Sequence, residues 1–427
     1  MIGRDAVWLA LGQATVVIVG LAGTRVLTTL LSPADYGEVS LVMGLAALGM
    51  GLLCTPFLQA TLRAFPDARE AGQVGALRAL AARHVRRGVI GIAALLLLAG
   101  LGWSLFGSSP VSFALFLAVA FVVAFDAWRN YESAFLNGAR RQRDYAQRYA
   151  FDALARNGAA VGLAVLLGPS ALPVVLGFAL GSATTGLLFR RRIVAGEATA
   201  NTPAAAAGAA EAWIASHRSA FLRYATPLVP LAILNWTMSM GDRYVLAAHW
   251  GTEVVGLYWA AYAIGSQPFI AASSLVHTTL RPVLYDAVAQ GNLAEERRIL
   301  RSWMLVTAGI AAGGWLLVTL LAQPLAALLL GRSFRAAADL LPWIAAAYAL
   351  QMLQQSFEII LFAHGHSRKL LVLQVAAAIS AVVLFFILIP PLGALGAALG
   401  TLGSVAITTV LTFFVSGAPG KLVGPLR

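Results

Sequence analysis

Along the chain, apolar residues run almost unbroken for about 20 positions at a time, and short polar stretches rich in arginine separate the runs. Twelve such runs span roughly 7–31, 36–60, 88–107, 112–135, 150–168, 171–189, 222–247, 252–280, 302–322, 337–362, 370–389 and 393–415. None alternates with period two, as a barrel strand would. An isolated strand also leaves its backbone unsatisfied in hydrocarbon, so each run is predicted to be a helix. The apolar stretch Leu325–Leu330 is too short to span and is read as an interfacial or broken segment. The predicted fold is an all-α polytopic membrane protein of about twelve transmembrane helices.

Composition strengthens this reading. Hydrophobic residues make up 59% of the 427 and charged residues 11%, where soluble domains average about 25% charged. Such a chain cannot cover itself with a polar surface in water. The net charge of +12 would also suit a nucleic-acid partner. The basic residues, however, recur in short loops instead of forming one patch, which argues against it. With the N-terminus inside, 24 of the 30 basic residues fall in inner loops and only Arg332 and Arg335 outside. That asymmetry predicts cytoplasmic termini. The first apolar run is long enough to span and has no A-x-A site behind it, so no cleavable leader is expected. Cys54 is the sole cysteine, which excludes an internal disulfide.

The longest polar stretch, 190–221, turns low-complexity around Thr202–Ala210. It reads as a cytoplasmic linker between a six-helix lobe at 1–189 and a second at 222–427. The lobes look related. Arg25, Gly37 and Thr61-Leu62-Arg63 in the first recur in order as Arg243, Gly256 and Thr279-Leu280-Arg281 in the second. A shift of six spans keeps the orientation, which predicts a parallel repeat with a site between the lobes.

Four arginines fall in or near spans, where each costs about 2.5–3.5 kcal/mol on insertion scales. Arg129 can meet Asp126 at i, i+3, and Arg156 can meet Asp152 at i, i+4. Arg25 has no acidic helical neighbour. Arg243 has only Asp242, which points about 100° away around the helix. Arg25 and Arg243 therefore need partners across the bundle, water or a ligand. Facing one cavity, with Arg129 and Arg156, they would bind an anion; snorkelling is the alternative for the first two. Asp126, Asp152, Asp242 and Glu358 are candidates for coupling to a proton or sodium ion, or are counter-ions to these arginines. No His, Cys or acidic set has metal spacing, no phosphate-binding loop occurs, and no cofactor is expected. The arginines at 83–87 and 140–143 read as topology signals or as contacts for anionic lipid. Trp103, Trp250, Trp303 and Trp343 suit either interfacial anchoring or packing.

The runs Thr24-Arg25-Val26-Leu27, Leu31-Ser32-Pro33-Ala34-Asp35-Tyr36-Gly37 and Asp242-Arg243-Tyr244-Val245-Leu246 resemble bacterial polysaccharide-export (O-antigen, Wzx-type) flippases. Val255-Gly256-Leu257-Tyr258 does so too. These flippases belong to the multidrug/oligosaccharidyl-lipid/polysaccharide exporter (MOP) superfamily. The resemblance implies two six-helix lobes in the bacterial inner membrane. It implies a non-enzymatic flippase that carries an undecaprenyl-pyrophosphate-linked oligosaccharide outward, with polysaccharide polymerase machinery as a candidate partner. In lipid II flippases an arginine of the first span lies in the cationic cavity, and Arg25 occupies a similar place; the two extra spans of those proteins are absent. A drug/cation antiporter of the same superfamily is the main alternative, and a membrane glycosyltransferase or polymerase a more distant one.

Overall fold

A computed structural model describes residues 2–106, 113–198 and 207–423, and among them every regular element is a helix. The helices are α1 (Ile2–Leu30), α2 (Pro33–Leu53), α3 (Thr55–Glu70), α4 (Val74–Phe106), α5 (Phe113–Gly138), α6 (Gln142–Leu167) and α7 (Ala171–Ala198). They continue as α8 (Ala207–Ala225), α9 (Leu228–Ala289), α10 (Leu293–Leu320), α11 (Ala322–Leu329), α12 (Leu341–Ala363), α13 (Ser367–Val415) and α14 (Ala418–Val423). A 3₁₀ segment, Arg332–Leu340, joins α11 to α12.

Among the described residues, nine segments are long and apolar enough to cross a membrane by length and composition. Two of the helices are hairpins. α9 breaks at Gly251, whose φ of 78° is the left-handed conformation that glycine alone adopts freely. Tyr258 then bonds Asp242 at 2.6 Å, although the two are 16 residues apart. A straight helix would separate them by about 24 Å. α13 breaks at Gly393 (φ 57°), and Ser404 Oγ reaches the Ala377 carbonyl 27 residues back. With both arms of each hairpin counted, the described residues hold twelve span-length helical arms. The protein is an all-α, multi-pass membrane protein.

Element edges differ from the sequence reading for local reasons. The run 36–60 is not one helix but breaks at Cys54, because Pro56 in the first turn of α3 has no N–H to continue the ladder. α4 starts at Val74, so a basic extension carries Arg78, Arg83, Arg86 and Arg87 ahead of its apolar part. The segment around Leu325–Leu330 is a short helix, α11, as its length suggests. Of the stretch 190–221, residues 199–206 lie outside the described residues. Its later part is α8, which packs on α3 and α4. Trp213 and Phe221 are buried there, and Phe221 sits 5.6 Å from the His84 ring. Trp303 is fully buried and donates to Ser356, so it packs and does not anchor. Trp250 and Trp343 are exposed, and the Trp103 side chain lies outside the described residues.

The chain divides into two compact units. Unit 1 comprises 1–23 and 39–236; unit 2 comprises 24–38 and 237–427. Residues 24–38, the α1–α2 hairpin, thus pack as part of unit 2. Glycines make that packing possible. A Cβ on Gly37 would fall on the Thr252 carbonyl and 3.0 Å from Gly256 N. A Cβ on Gly256 would fall on the Pro33 carbonyl and 3.0 Å from Gly37 N. The two glycines that mark the sequence repeat therefore face each other. Gly331 does the same against the backbone of Thr28, and its N–H donates to Thr28 Oγ1 at 3.0 Å. Tyr36 completes the seat, stacked on Trp259 (4.3 Å) and edge-on to Phe334 (5.5 Å).

Candidate functional site

In unit 1 the intramembrane charges form one cluster. Asp126 and Arg129 stand one turn apart on α5, as do Asp152 and Arg156 on α6. The two helices are antiparallel, so each residue meets its opposite number across the gap. Arg129 Nη1 pairs with Asp152 Oδ2, and Arg156 Nη1 with Asp126 Oδ1 at 2.5 Å. The within-helix contact of Arg129 with Asp126 survives at 3.6 Å. The local partner expected for Arg156, Asp152, is taken by Arg129 instead. Ser182 of α7 donates to Asp126 at 2.7 Å and accepts from Arg156 at 3.1 Å. α7 comes that close because Gly177 and Gly181 lie against the α6 backbone, where no Cβ would fit. One turn further along, Arg148, counted from sequence as a loop residue, is a buried side chain. Its nearest acids are Glu132 and Asp152.

This cluster predicts a large stability effect. Removing one carboxylate leaves two buried guanidinium groups short of a counter-ion, which costs about 3–5 kcal/mol. Asp126→Ala is expected to lower the thermal unfolding midpoint of the detergent-solubilised protein sharply. Asp126→Leu combined with Arg156→Met should recover part of it. A wild-type midpoint for Asp126→Ala would mean that the cluster does not hold α5, α6 and α7 together.

In unit 2, Asp242 and Arg243 diverge as their adjacent positions require. Asp242 accepts from Tyr258 at 2.6 Å and from the Arg243 backbone N–H at 2.8 Å. The Arg243 guanidinium, buried, lies over the ring of Tyr262 at 4.7 Å and of Trp259 at 6.0 Å. Such cation–π contacts contribute up to about 2 kcal/mol when desolvated. Tyr262 in turn bonds Tyr348 of α12. Arg25 points elsewhere. It is part-exposed, its Nη1 makes a long 3.5 Å contact to the Ala327 carbonyl, and no carboxylate among the described residues pairs with it. The arginines named from sequence therefore do not meet in one cavity within either unit: Arg129 and Arg156 share carboxylates in unit 1, while Arg25 and Arg243 turn to different neighbours in unit 2.

Unit 2 contains a cavity between the second arm of α9 and α12 that measures about 610 Å³. Ligand pockets are typically about 300–1,000 Å³. Its polar lining comes from two stripes. Ser273, His277 and Arg281 follow at i, i+4, i+8 on α9; Gln351, Gln355 and Glu358 follow at i, i+4, i+7 on α12. Spacings of three and four put each set on one helix face. Ser273 donates to Gln355 at 2.6 Å, and Gln354 donates to Glu358 at 3.1 Å. Neither ring nitrogen of His277 has a hydrogen-bond partner among the described residues. Its ring meets Trp303 edge-on at 5.3 Å. Arg281 neighbours His277 and pairs with no carboxylate among the described residues. The cavity can thus offer one uncompensated guanidinium, an imidazole, two amides and one carboxylate. Of these, the sequence reading names only Glu358 as a site candidate; Arg281 enters it as a repeat landmark. The missed signal was the pair of polar stripes on otherwise apolar spans.

No known family profile matches the chain, and no curated protein matches it. Solved structures do. A lipid II flippase MurJ in an inward closed conformation aligns over 96% of this chain and 87% of its own, with a TM-score of 0.73 and 13% identity. An inward-facing multidrug resistance MATE family transporter of the MOP superfamily aligns over 96% and 97%, with 0.67 and 15%. A MOP superfamily transporter from Pyrococcus furiosus, noted for a binding pocket of reverse polarity, aligns over 97% and 95%, with 0.65 and 14%. At these identities the likeness is one of fold. The chain has the helical arrangement of the MOP transporters.

Proposed function

We propose that the protein is a flippase of the bacterial inner membrane, with both termini cytoplasmic. Its cargo would be an oligosaccharide on undecaprenyl pyrophosphate, carried from the inner to the outer leaflet. The observation that carries this reading is the unit 2 cavity, where Arg281 stands uncompensated beside His277. A pyrophosphate cannot cross hydrocarbon unaided, because the cost of stripping its water is prohibitive. A guanidinium fork and an imidazole N–H replace that water with charge-assisted hydrogen bonds. Gln351 and Gln355 supply donors and acceptors suited to sugar hydroxyls. Arg25 is a second cation free of carboxylates, while Arg129, Arg156 and Arg243 are held by carboxylates or aromatic rings. The fold shared with a lipid II flippase supports the same reading, as does the exporter resemblance of the Thr24–Gly37 segment. No bond is made or broken in such a cycle, and polysaccharide polymerase machinery is the expected downstream partner.

One observation favours a drug/cation antiporter instead: Glu358 faces the same cavity and could hold a cation or exchange a proton. A single deletion strain separates the two. Under the flippase reading, loss of the protein traps lipid-linked oligosaccharide on the inner leaflet and leaves resistance to cationic dyes unchanged. Dye sensitivity with normal oligosaccharide sidedness would replace the flippase reading with the antiporter.

A further inference from the structure

Unit 1 carries a second concavity, of about 490 Å³, on the face shared by α4 and α5. Its trough is hollowed by Ala79 and Ala82 of α4 and by Ala124 and Ala127 of α5. Arg83 and Arg86, which follow Ala82 on α4 and precede Val89 and Ile90, form one wall; both are exposed, and neither makes an ion pair or hydrogen bond among the described residues. Trp128 and Tyr131 form the opposite wall, and both rings are fixed. Trp128 rests against Gly186 of α7, where a Cβ would lie 2.6 Å from the indole ring. The Tyr131 hydroxyl donates to the Arg78 carbonyl at 2.9 Å. The indole N–H of Trp128 has no protein acceptor among the described residues. Beyond the trough the same surface continues as exposed Ile90 on α4 and exposed Leu117 and Phe121 on α5. The concavity therefore has a cationic head, an indole donor and an apolar tail that runs onto the membrane-facing side.

We propose that this groove seats an anionic phospholipid of the leaflet at the arginine-rich end. Arg83 and Arg86 would take the phosphodiester, and the Trp128 N–H a phosphate or ester oxygen. One acyl chain would lie on the apolar side of the arginines, along Val89, Ile90 and Ala124. Charge complementarity selects the occupant. Two uncompensated guanidinium groups favour a headgroup with net negative charge, such as phosphatidylglycerol, over one whose amine cancels the phosphate. The alanines matter because larger side chains would fill the trough with protein. This site is independent of the transport reading: it lies wholly within unit 1 and needs no substrate.

The test is lipid binding to the purified full-length protein in detergent, read by thermal midpoint and by native mass spectrometry. The lipids are phosphatidylglycerol and phosphatidylcholine with the same acyl chains; inorganic phosphate is a third arm. Phosphatidylglycerol is expected to bind most tightly and phosphate alone to give no shift. R83Q/R86Q should weaken phosphatidylglycerol about thirtyfold at low salt, toward the phosphatidylcholine value. Ala82→Trp, at an exposed position, should weaken both lipids while keeping the charges. Equal binding of the two lipids, or an undiminished preference in R83Q/R86Q, would overturn the proposal. Full saturation by phosphate would reduce the site to a simple anion site and overturn the lipid assignment as well.

Discussion

Gly37→Leu and Gly256→Leu are each expected to abolish transport while leaving the helices formed. The obstacle to a side chain at either position is backbone: the Thr252 carbonyl in one case and the Pro33 carbonyl in the other. Overlap with backbone is not relieved by a rotamer change, so the 24–38 hairpin must lift away from α9. The stacking of Tyr36 on Trp259 and the bond from Gly331 to Thr28 depend on the same seating. An alternating-access cycle needs such a contact to form and release as a unit, because packed interfaces are bistable. Spin labels at residues 35 and 252, in a Cys54→Ser background, should report a longer distance in either variant. Wild-type transport together with an unchanged distance would remove the hairpin seat from the mechanism.

Arg281→Ala is the second large effect. Arg281 is exposed and pairs with no carboxylate among the described residues, so its loss should change stability by no more than about 0.5 kcal/mol. Loss of a hydrogen bond to a charged group costs about 1.5–3 kcal/mol. Affinity for the lipid-linked pyrophosphate should therefore fall by roughly 10- to 150-fold. Arg281→Lys keeps the charge but not the fork and should fall between. His277→Ala should add to the loss, since the ring nitrogens have no structural partner among the described residues. An Arg281→Ala protein with a normal melting curve and normal substrate affinity would separate the cavity from the cargo.

Much of the fold was legible because lipid imposes it. Span length, the absence of two-residue alternation and the placement of arginines leave little choice but a helical bundle. Even the tight turns fall at span boundaries, Gly251 between two predicted spans and Gly393 at the first residue of one. The repeat landmarks Gly37 and Gly256 turn out to touch, which order along the chain could suggest but not require. The partners of the charges were less legible. Helical spacing offers Asp152 to Arg156, yet an antiparallel neighbour offers Asp126 at the same height, and sequence gives no means of ranking the two. Most of α8 reads as linker in sequence because it belongs to the longest polar stretch, although Trp213 and Phe221, eight positions apart, are both buried. Cys54 shows how one proline can end a helix inside an apolar run whose hydropathy does not change. The cavity residues were hidden by their dual meaning. Arg281 at the end of a span is what the positive-inside pattern demands, and only its stripe with Ser273 and His277 distinguishes it from the other loop arginines.

The central claim is that the protein carries an anionic lipid-linked oligosaccharide across the bilayer. It is tested most directly in sealed vesicles reconstituted with the purified protein and a fluorescent undecaprenyl-pyrophosphate oligosaccharide. A membrane-impermeant quencher reads how much label remains inside over time. The account predicts that wild-type protein moves label across the bilayer, and that Arg281→Ala protein at equal density scarcely exceeds empty vesicles. Label that stays put with wild-type protein, or that crosses equally fast with Arg281→Ala, would contradict it.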